Sequence, residues 1–537
     1  MRGSGPLWVL LNQARHANLA EQGAAPPILS PGGITRRRML AALAGAAALP
    51  ITGWPVPSHA RSSTRVAITG GGLAGLVALD ALNVAGIAAH LYEARGRLGG
   101  RVFTANNAPE PGLNIEDGGN LINSDHADML GLAKRFAIPL IDRRTMSAYN
   151  RYVADGRAIS EASLIDDLRP IAAQIDKDAA ALDADYETVA PRLDAISVTA
   201  YLDKHTRLMK AHVRALLEAT IRNEFGAEPG QASAIELLFN LPVVDGRQVE
   251  LISLSDERFI LEGGSSTVVK ALSAPLMSMI STGHALVSIS SNDGRLDLHF
   301  ANGRVDHVDR VIVTVPASLM RTIDYGGLLP DSWAAFVREI ECGRNEKINA
   351  GYAARVWEPL TGPAGSAWAV DTRGPGIFSE YWDASSGQPG SAGVLTWFFG
   401  GDQVDALMAG DPETTLRRAE SAIAPAVPGL KARTMRRTAW GQDPYARGAY
   451  STFRPGQLSR FASLFWVESE GGAPQHVSTG PIVFAGEHLS DAFPGYMNGG
   501  AQTGRLAAAA VLASLAVTAW SAPGPRSLKP GAPCANG

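Results

Sequence analysis

A chain of 537 residues with 46% hydrophobic and 19% charged residues has room for two or three domains and is neither a disordered nor a fibrous composition. Its formal charge of −4 is uneven: residues 1–60 hold five Arg and one Glu, leaving 43 basic against 51 acidic residues beyond them, which argues against nucleic acid as a partner. Two cysteines, Cys342 and Cys534, cannot make a disulfide framework, and with no C-x-x-C or H-x-x-x-H cluster no metal site is expected.

Thr35-Arg36-Arg37-Arg38-Met39-Leu40 has the twin-arginine pattern, followed by a weakly apolar run over 41–50 and a small-residue cleavage site at Ser58-His59-Ala60. Residues 1–60 therefore read as a twin-arginine signal region outside the fold, removed after Ala60. The expected partner is the twin-arginine export machinery, and the expected location is periplasmic or secreted. The thirty or so residues ahead of the arginines carry no signal character.

From Arg65 the chain runs RVAITGGGLAGLVALDALNVAGIAAHLYEARGRLGGR. Val66–Thr69 is expected to be a short buried strand, Gly70, Gly72 and Gly75 a G-x-G-x-x-G turn, and 73–85 a helix that opens with Leu73 and Ala74. Such a turn lets the backbone approach a pyrophosphate at the positive end of a helix. A second strand at 90–92 leads to Glu93, about 20 residues beyond the glycines, where a carboxylate accepts hydrogen bonds from ribose hydroxyls. The continuation Glu93-Ala94-Arg95-Gly96-Arg97-Leu98-Gly99-Gly100-Arg101 adds a second glycine pair and several guanidinium groups. It resembles the E-A-R-x-R-x-G-G-R signature of FAD-dependent oxidases in the flavin-containing amine oxidase family.

Further blocks resemble the same family. Glu116-Asp117-Gly118-Gly119-Asn120 is similar to its acid-x-Gly-Gly segment, which the resemblance places beside the isoalloxazine. Residues 150–240 show helical spacing through 171–182 and 198–217 and read as a helical insertion. In the family such an insertion covers the substrate cavity; Asn223, Glu224 and Phe225 are candidates to face it or, alternatively, to cap a helix end. Leu261-Glu262-Gly263-Gly264 and a helix over 266–276 resemble the return to the FAD domain. A strand from Leu286, near adenine on the resemblance, is followed by turns at Asn292-Asp293-Gly294 and Asn302-Gly303, and 310–315 reads as a buried strand. Lys347 is expected in a strand, pointing opposite to Ile348 and ahead of an aromatic-rich strand end at Trp357. The resemblance gives it the role of holding a water near flavin N5.

Trp440-Gly441-Gln442-Asp443-Pro444-Tyr445-Ala446-Arg447-Gly448-Ala449-Tyr450 resembles the family's W-x-x-x-x-Y-x-x-G-x-Y block. Phe484-Ala485-Gly486-Glu487 and Gly495-Tyr496-Met497-Asn498-Gly499-Gly500-Ala501 resemble its F-A-G-E and G-Y-M-x-G-A blocks. On that resemblance Gly486, Glu487 and Met497 contact the flavin, Glu487 accepting from a ribityl hydroxyl, and the helix after Met497 aims its N-terminus at the pyrimidine end of the ring. Tyr450 and Tyr496 match the two aromatic residues that flank the substrate amine in monoamine oxidases, and Trp440 joins them. Ala449 stands where those enzymes carry the flavin-bonding cysteine, so FAD is expected to be non-covalent.

The expected fold is α/β. A Rossmann-like FAD-binding domain is assembled from 64–145, 241–318 and 440–516, and an α+β substrate-binding domain from 146–240 and 319–439 includes the helical insertion; 517–537 reads as a disordered tail. The expected activity is oxidative deamination of a primary or secondary amine to an imine and then a carbonyl compound, with dioxygen as co-substrate and hydrogen peroxide as product. Lys347, Tyr450 and Tyr496 carry the catalytic roles, and Asn223 and Trp440 join the tyrosines as substrate contacts. A homodimer is compatible with this reading. L-Amino acid oxidases and tryptophan monooxygenases share the motifs; venom-type amino acid oxidases bind the substrate carboxylate with an arginine where Leu121 stands, a role open here to Arg222 or Arg447. A flavin held only for structure is the remaining alternative, and Lys347, both tyrosines and Glu487 argue against it.

Overall fold

The computed structural model describes residues 6–24, 28–29, 64–238, 243–245, 248–250, 256–468 and 477–521. Val66–Thr69 is a fully buried strand near the centre of a six-stranded sheet. The order is Ile280–Ser281, Ala89–Tyr92, Val66–Thr69, Arg310–Val313, Ile482–Phe484 and Ser478–Thr479. The first five strands are parallel and the last is antiparallel. Parallel strands are covered on both faces, which is why Val66–Thr69 and Arg310–Val313 are apolar runs rather than alternations. Helix Leu73–Val84 and the C-terminal helix Met497–Ser521 pack together beside this sheet and approach closely at Gly504. A Cβ there would lie 2.2 Å from the Ala74 carbonyl oxygen.

A second sheet of seven strands supplies the other wall of the site. Its order is Thr434–Arg437, Asn345–Tyr352, Gly393–Gly400, Glu380–Asp383, Ser366–Val370, Arg151–Ala154 and Arg157–Ile159. Asn345–Tyr352 and Gly393–Gly400 are buried along their whole length. One face, with Ile348, Trp397 and Phe399, packs on helices Asp402–Ala409 and Pro412–Ile423; Lys347 and Phe398, on the other face, reach a large cavity. The fold is the α/β architecture expected, with a Rossmann-like sheet and a second mixed sheet.

The insertion consists of helices Glu161–Ala184, Tyr186–Asp194, Val198–Lys204, Ala211–Phe225 and Ala234–Leu238. Ser160, Asp185 and Ser197 start the first three by accepting from the backbone N–H of Ser163, Thr188 and Ala200. Their apolar faces form a separate core around Leu168, Ile171, Leu202 and Leu217.

Part of the leader expectation is corrected. Residues 6–24 belong to the folded body: helix Pro6–Glu21 packs along Glu161–Ala184 and buries Leu10, Leu11 and Ala14. Arg15 pairs with Asp176 at 3.3 Å, and Asn18 Nδ2 donates to the Arg169 carbonyl. Apolar residues at 10, 11 and 14 share one helical face, the pattern of a helix that docks on a core. The twin-arginine segment, the apolar run and the Ala60 site lie outside the described residues.

Smaller boundaries shift too. The helix expected over 266–276 stops at Ser273 and tightens into the 3₁₀ stretch Ala274–Met279, because Pro275 has no N–H to continue the α ladder. The Lys347 strand ends at Tyr352; Trp357 instead precedes the short helix Glu358–Thr361 and donates from Nε1 to Asp383 at 3.0 Å. Residues 517–521 continue the C-terminal helix, and 522–537 lie outside the described residues.

Candidate active site

The cavity between the two sheets has a volume of about 470 Å³. Its nucleotide end is built by the turn after Val66–Thr69. Gly70 has φ +112°, and a Cβ on it would sit 2.5 Å from Thr314 Oγ1. At Gly75 a Cβ would lie 1.9 Å from the Gly70 carbonyl oxygen, so only glycine closes this turn onto its helix. Gly72 is the N-cap, and a Cβ there would meet nothing, leaving the helix N-terminus open to an anion. Glu93 is held by the Gly71 N–H at 2.6 Å and the Arg95 N–H at 2.7 Å. Arg95 reaches across to Asp443 at 2.6 Å and lies over the Tyr445 ring, tying the second motif to the loop after Trp440.

Glu487 lines this cavity and is already engaged by the protein. It accepts from Arg101 at 2.8 Å, Ser451 Oγ at 2.8 Å, the Ser451 N–H at 3.1 Å and the Gly495 N–H at 2.7 Å. Burial alone would raise its pKa; the Arg101 and His488 charges and these hydrogen bonds overcome that and hold it at about 2. The expected ribityl contact therefore falls on a carboxylate whose acceptor positions are already filled, and Glu487 acts first as the anchor for Arg101, Ser451 and Gly495. Arg101 also donates to the Ala449 carbonyl at 2.7 Å, fixing the residue before Tyr450.

Lys347 is 4% exposed. Its ammonium donates to the carbonyls of Gly118 at 2.7 Å and Glu116 at 3.1 Å and lies 5.7 Å from the centre of the Trp382 ring. Burial lowers its pKa to about 8, against the opposing pull of Glu116 and Asp117. The Glu116 carboxyl, bound by the Ser265 N–H at 2.6 Å and by Thr104, is raised by burial to about 7. Asp117 pairs with Arg436 at 2.7 Å, and its carbonyl accepts from Trp440 Nε1 at 2.9 Å.

Tyr450 and Tyr496 both line the cavity. Tyr450 clusters with Trp382 and Phe398 and donates its hydroxyl to the Asn223 carbonyl at 2.6 Å. Tyr496 stands against the edge of His126, with ring centres 4.8 Å apart. Burial lowers the His126 pKa to about 3, so this imidazole is neutral support for the ring.

The cavity gathers every cofactor and substrate residue named from the sequence except Gly75 and the helix-end residues Asn223, Glu224 and Phe225, which are buried in the last turn of Ala211–Phe225. Gly75 acts through the close contact behind the turn. Asn223 is buried in the last turn of Ala211–Phe225; it meets Tyr450 through its carbonyl, and its side chain donates to Glu380 at 3.1 Å. Leu121 lines the cavity where an arginine was sought; Arg222 is bound to Glu228 at 2.8 Å, while Arg447 reaches the cavity. Sequence reading missed Thr314, Asn345, Phe398 and Thr438, which also line it. Phe398 was legible only through pairing, since it lies opposite Lys347 on the neighbouring strand. Among the described residues no group of three or more His, Cys, Asp and Glu is arranged to hold a metal. The residues fit FAD: a side-chain-free helix N-terminus for the pyrophosphate, a fixed carboxylate at Glu93 for the ribose, and small residues at Gly118, Gly119 and Ala449 along the far end.

The sequence profile for the flavin-containing amine oxidoreductases matches residues 73–512. The chain is 25% identical over 455 residues to (S)-6-hydroxynicotine oxidase of Paenarthrobacter nicotinovorans, covering 83% of this chain and 99% of that protein. It is 24% identical over 499 residues to putrescine oxidase of Kocuria rosea, covering 84% and 96%. Among solved structures, cyclohexylamine oxidase from Brevibacterium oxydans superposes with a TM-score of 0.71 at 20% identity, covering 84% of this chain and 99% of that one. A putrescine oxidase bound to putrescine superposes at 0.70 with 20% identity and the same coverage, which speaks for the fold. With most of its length matched and a cradle that fits FAD, the chain belongs to the flavin-containing amine oxidoreductase family and is an FAD-dependent enzyme of that class.

Proposed function

We propose that this enzyme oxidises a small primary or secondary amine to its imine, using dioxygen to regenerate the cofactor and releasing hydrogen peroxide. The observation that carries this reading is the meeting of buried Lys347 with Tyr450, Tyr496 and Phe398 in the cavity that begins at the glycine turn. Relatives named for oxidising putrescine and hydroxynicotine support the substrate class.

Bound FAD supplies the two-electron oxidant. The protein's own part is positioning. Tyr450, Phe398 and Tyr496 form apolar and aromatic walls that exclude water from the amine and orient it by its polar nitrogen. Lys347 spends two hydrogen bonds on Glu116 and Gly118 carbonyls, which leaves its remaining valence for a water at the reacting end of the cavity. Burial lowers its pKa, which brings proton exchange with that water nearer to neutral pH.

We read the arginines at 36–38, the run over 41–50 and the Ala60 site as a twin-arginine leader. Cleavage after Ala60 would detach helix Pro6–Glu21 with it, so that helix would pack on Glu161–Ala184 in the uncut chain, which would acquire FAD before export and act in the periplasm or outside the cell. Substituting Arg36, Arg37 and Arg38 with lysine together should retain the enzyme in the cytoplasm; unchanged fractionation would refute the leader.

The activity test is peroxide release by the purified FAD-loaded protein across monoamines, diamines and L-amino acids. Release with amines alone supports the proposal. Release with amino acids alone overturns it and turns attention to Arg447. Flavin bleaching without peroxide shows a dehydrogenase or monooxygenase instead.

A further inference from the structure

The C-terminal turn of insertion helix Ala211–Phe225 is pressed into the strand that carries Lys347 and into its neighbour. Three glycines make this contact. A Cβ at Gly400 would lie 1.8 Å from the Arg222 carbonyl oxygen, one at Gly343 1.9 Å from the Phe225 carbonyl oxygen, and one at Gly226 2.1 Å from Asn345 Oδ1. Gly226 ends the helix at φ +61°, and its carbonyl accepts from the Arg344 N–H at 2.8 Å.

Two carbonyls of this last turn accept from site residues, that of Arg222 in addition to its bond from the Gly226 N–H at 3.0 Å. Asn345 Nδ2 donates to the carbonyls of Arg222 and Asn223, each at 3.0 Å, and the Tyr450 hydroxyl donates to the same Asn223 carbonyl at 2.6 Å. The Tyr450 backbone is bound to the same strand entry: its carbonyl accepts from the Gly343 N–H at 2.6 Å, and the Ala449 N–H donates to the Gly343 carbonyl at 2.9 Å. Asn223 is held from behind by Glu380, a carboxyl that burial keeps protonated near neutral pH. Asn345 and Lys347 share one face of their strand, so a single strand fixes the helix end with one residue and reaches the cofactor end with the next on that face.

We propose that Asn345 and the Asn223 carbonyl are positioning residues that fix the Tyr450 ring, so that the helical insertion sets the shape of the amine site. This rests on the reading that Tyr450 flanks the substrate amine. A change in how Ala211–Phe225 packs is transmitted to the ring by one hydroxyl, without altering any residue that touches the cofactor cradle.

The test uses Asn345→Ala, Tyr450→Phe and the double variant of the FAD-loaded protein. Hydrogen exchange needs no substrate: Tyr450→Phe should speed amide exchange in the peptide spanning 211–226, and Asn345→Ala should speed it in the peptide spanning 440–452. Binding of tert-butylamine, which has no α-hydrogen to lose, is followed by flavin absorbance. Each single variant should weaken it about fivefold to tenfold, and the double variant no further than the worse single one. Tyr450→Phe removes only a hydroxyl and keeps the comparison usable if Asn345→Ala folds poorly. Unchanged exchange in 211–226 when the hydroxyl is lost, or two effects that simply multiply, would overturn the positioning role. Failure of every amine to bleach the wild-type flavin would instead defeat the functional reading while leaving the exchange result standing.

Discussion

Lys347 Nζ lies 2.7 Å from the carbonyl oxygen of Gly118, so the ammonium of the seven-stranded sheet is held by backbone of the segment that follows the nucleotide-binding turn. This bond joins the two halves of the cavity, and it explains why the lysine is buried without a carboxylate in contact: backbone dipoles satisfy it.

Lys347→Met should leave FAD bound and slow anaerobic flavin bleaching by amines by about 10²-fold. Burial favours the neutral lysine, which accepts a hydrogen bond, so the wild-type rate should rise with pH through the lysine as well as through the substrate ammonium, and the variant should keep only the substrate's part of that rise. Stopped-flow absorbance between pH 6 and pH 10 reads both. A variant with the wild-type rate and profile would remove Lys347 from the mechanism.

The Glu380 carboxyl is raised to about 8 by burial, so the folded chain holds its proton where an unfolded one has released it. Its contribution is present at acidic pH and is lost as pH rises from the ordinary carboxylate value through about 8. Glu380→Gln keeps a hydrogen-bonding partner for Asn223 and removes this titration. The variant should therefore gain on the wild type between pH 5 and pH 8, by a few kcal/mol at ~1.4 kcal/mol per unit. Urea melts at the two pH values decide it; a constant difference would show that Glu380 does not titrate in this window.

Gly75→Ala forces a Cβ to within 1.9 Å of the Gly70 carbonyl oxygen and should open the turn, yielding protein purified without yellow colour and destabilised by about 1–3 kcal/mol. Gly86→Ala is the control: its φ of +73° makes alanine cost about 1 kcal/mol, but open space around it leaves the cradle intact. The ratio of flavin to protein absorbance separates the two.

Deleting residues 6–24 should lower the melting temperature and expose Glu161–Ala184 to protease while sparing bound FAD. The loss is of the order of 1.5–3 kcal/mol for each large apolar side chain withdrawn, Leu10 and Leu11 here. Limited proteolysis with mass spectrometry would show cuts within 161–184. An unchanged melt and digest would mean the helix contributes nothing to the body.

The sequence by itself determined the elements whose chemistry is local. The glycine turn, the apolar strand before it and the acid after it lie within one short stretch, and their spacing reflects steric limits that no other residue type meets. The same holds for the hairpins at Asn292-Asp293-Gly294 and Asn302-Gly303, where turn geometry dictates composition. Lys347, Tyr450 and Tyr496 were legible through blocks that resemble known flavoenzymes, although strand periodicity gave only the direction in which Lys347 points.

Only the tertiary structure decided what those residues touch. Glu487 reads from sequence as a flavin contact; it lines the cavity, and the structure adds its bonds to Arg101, Ser451 and Gly495, residues 386, 36 and 8 positions away in the chain. Asn223 looked like a substrate contact and instead gives its carbonyl to Tyr450, 227 positions on. The N-terminal helix looked like part of a leader and packs on Glu161–Ala184. The reason is common to all three. A buried polar or apolar group must find a partner, but sequence records only its need; which partner arrives depends on how distant segments close around the cavity.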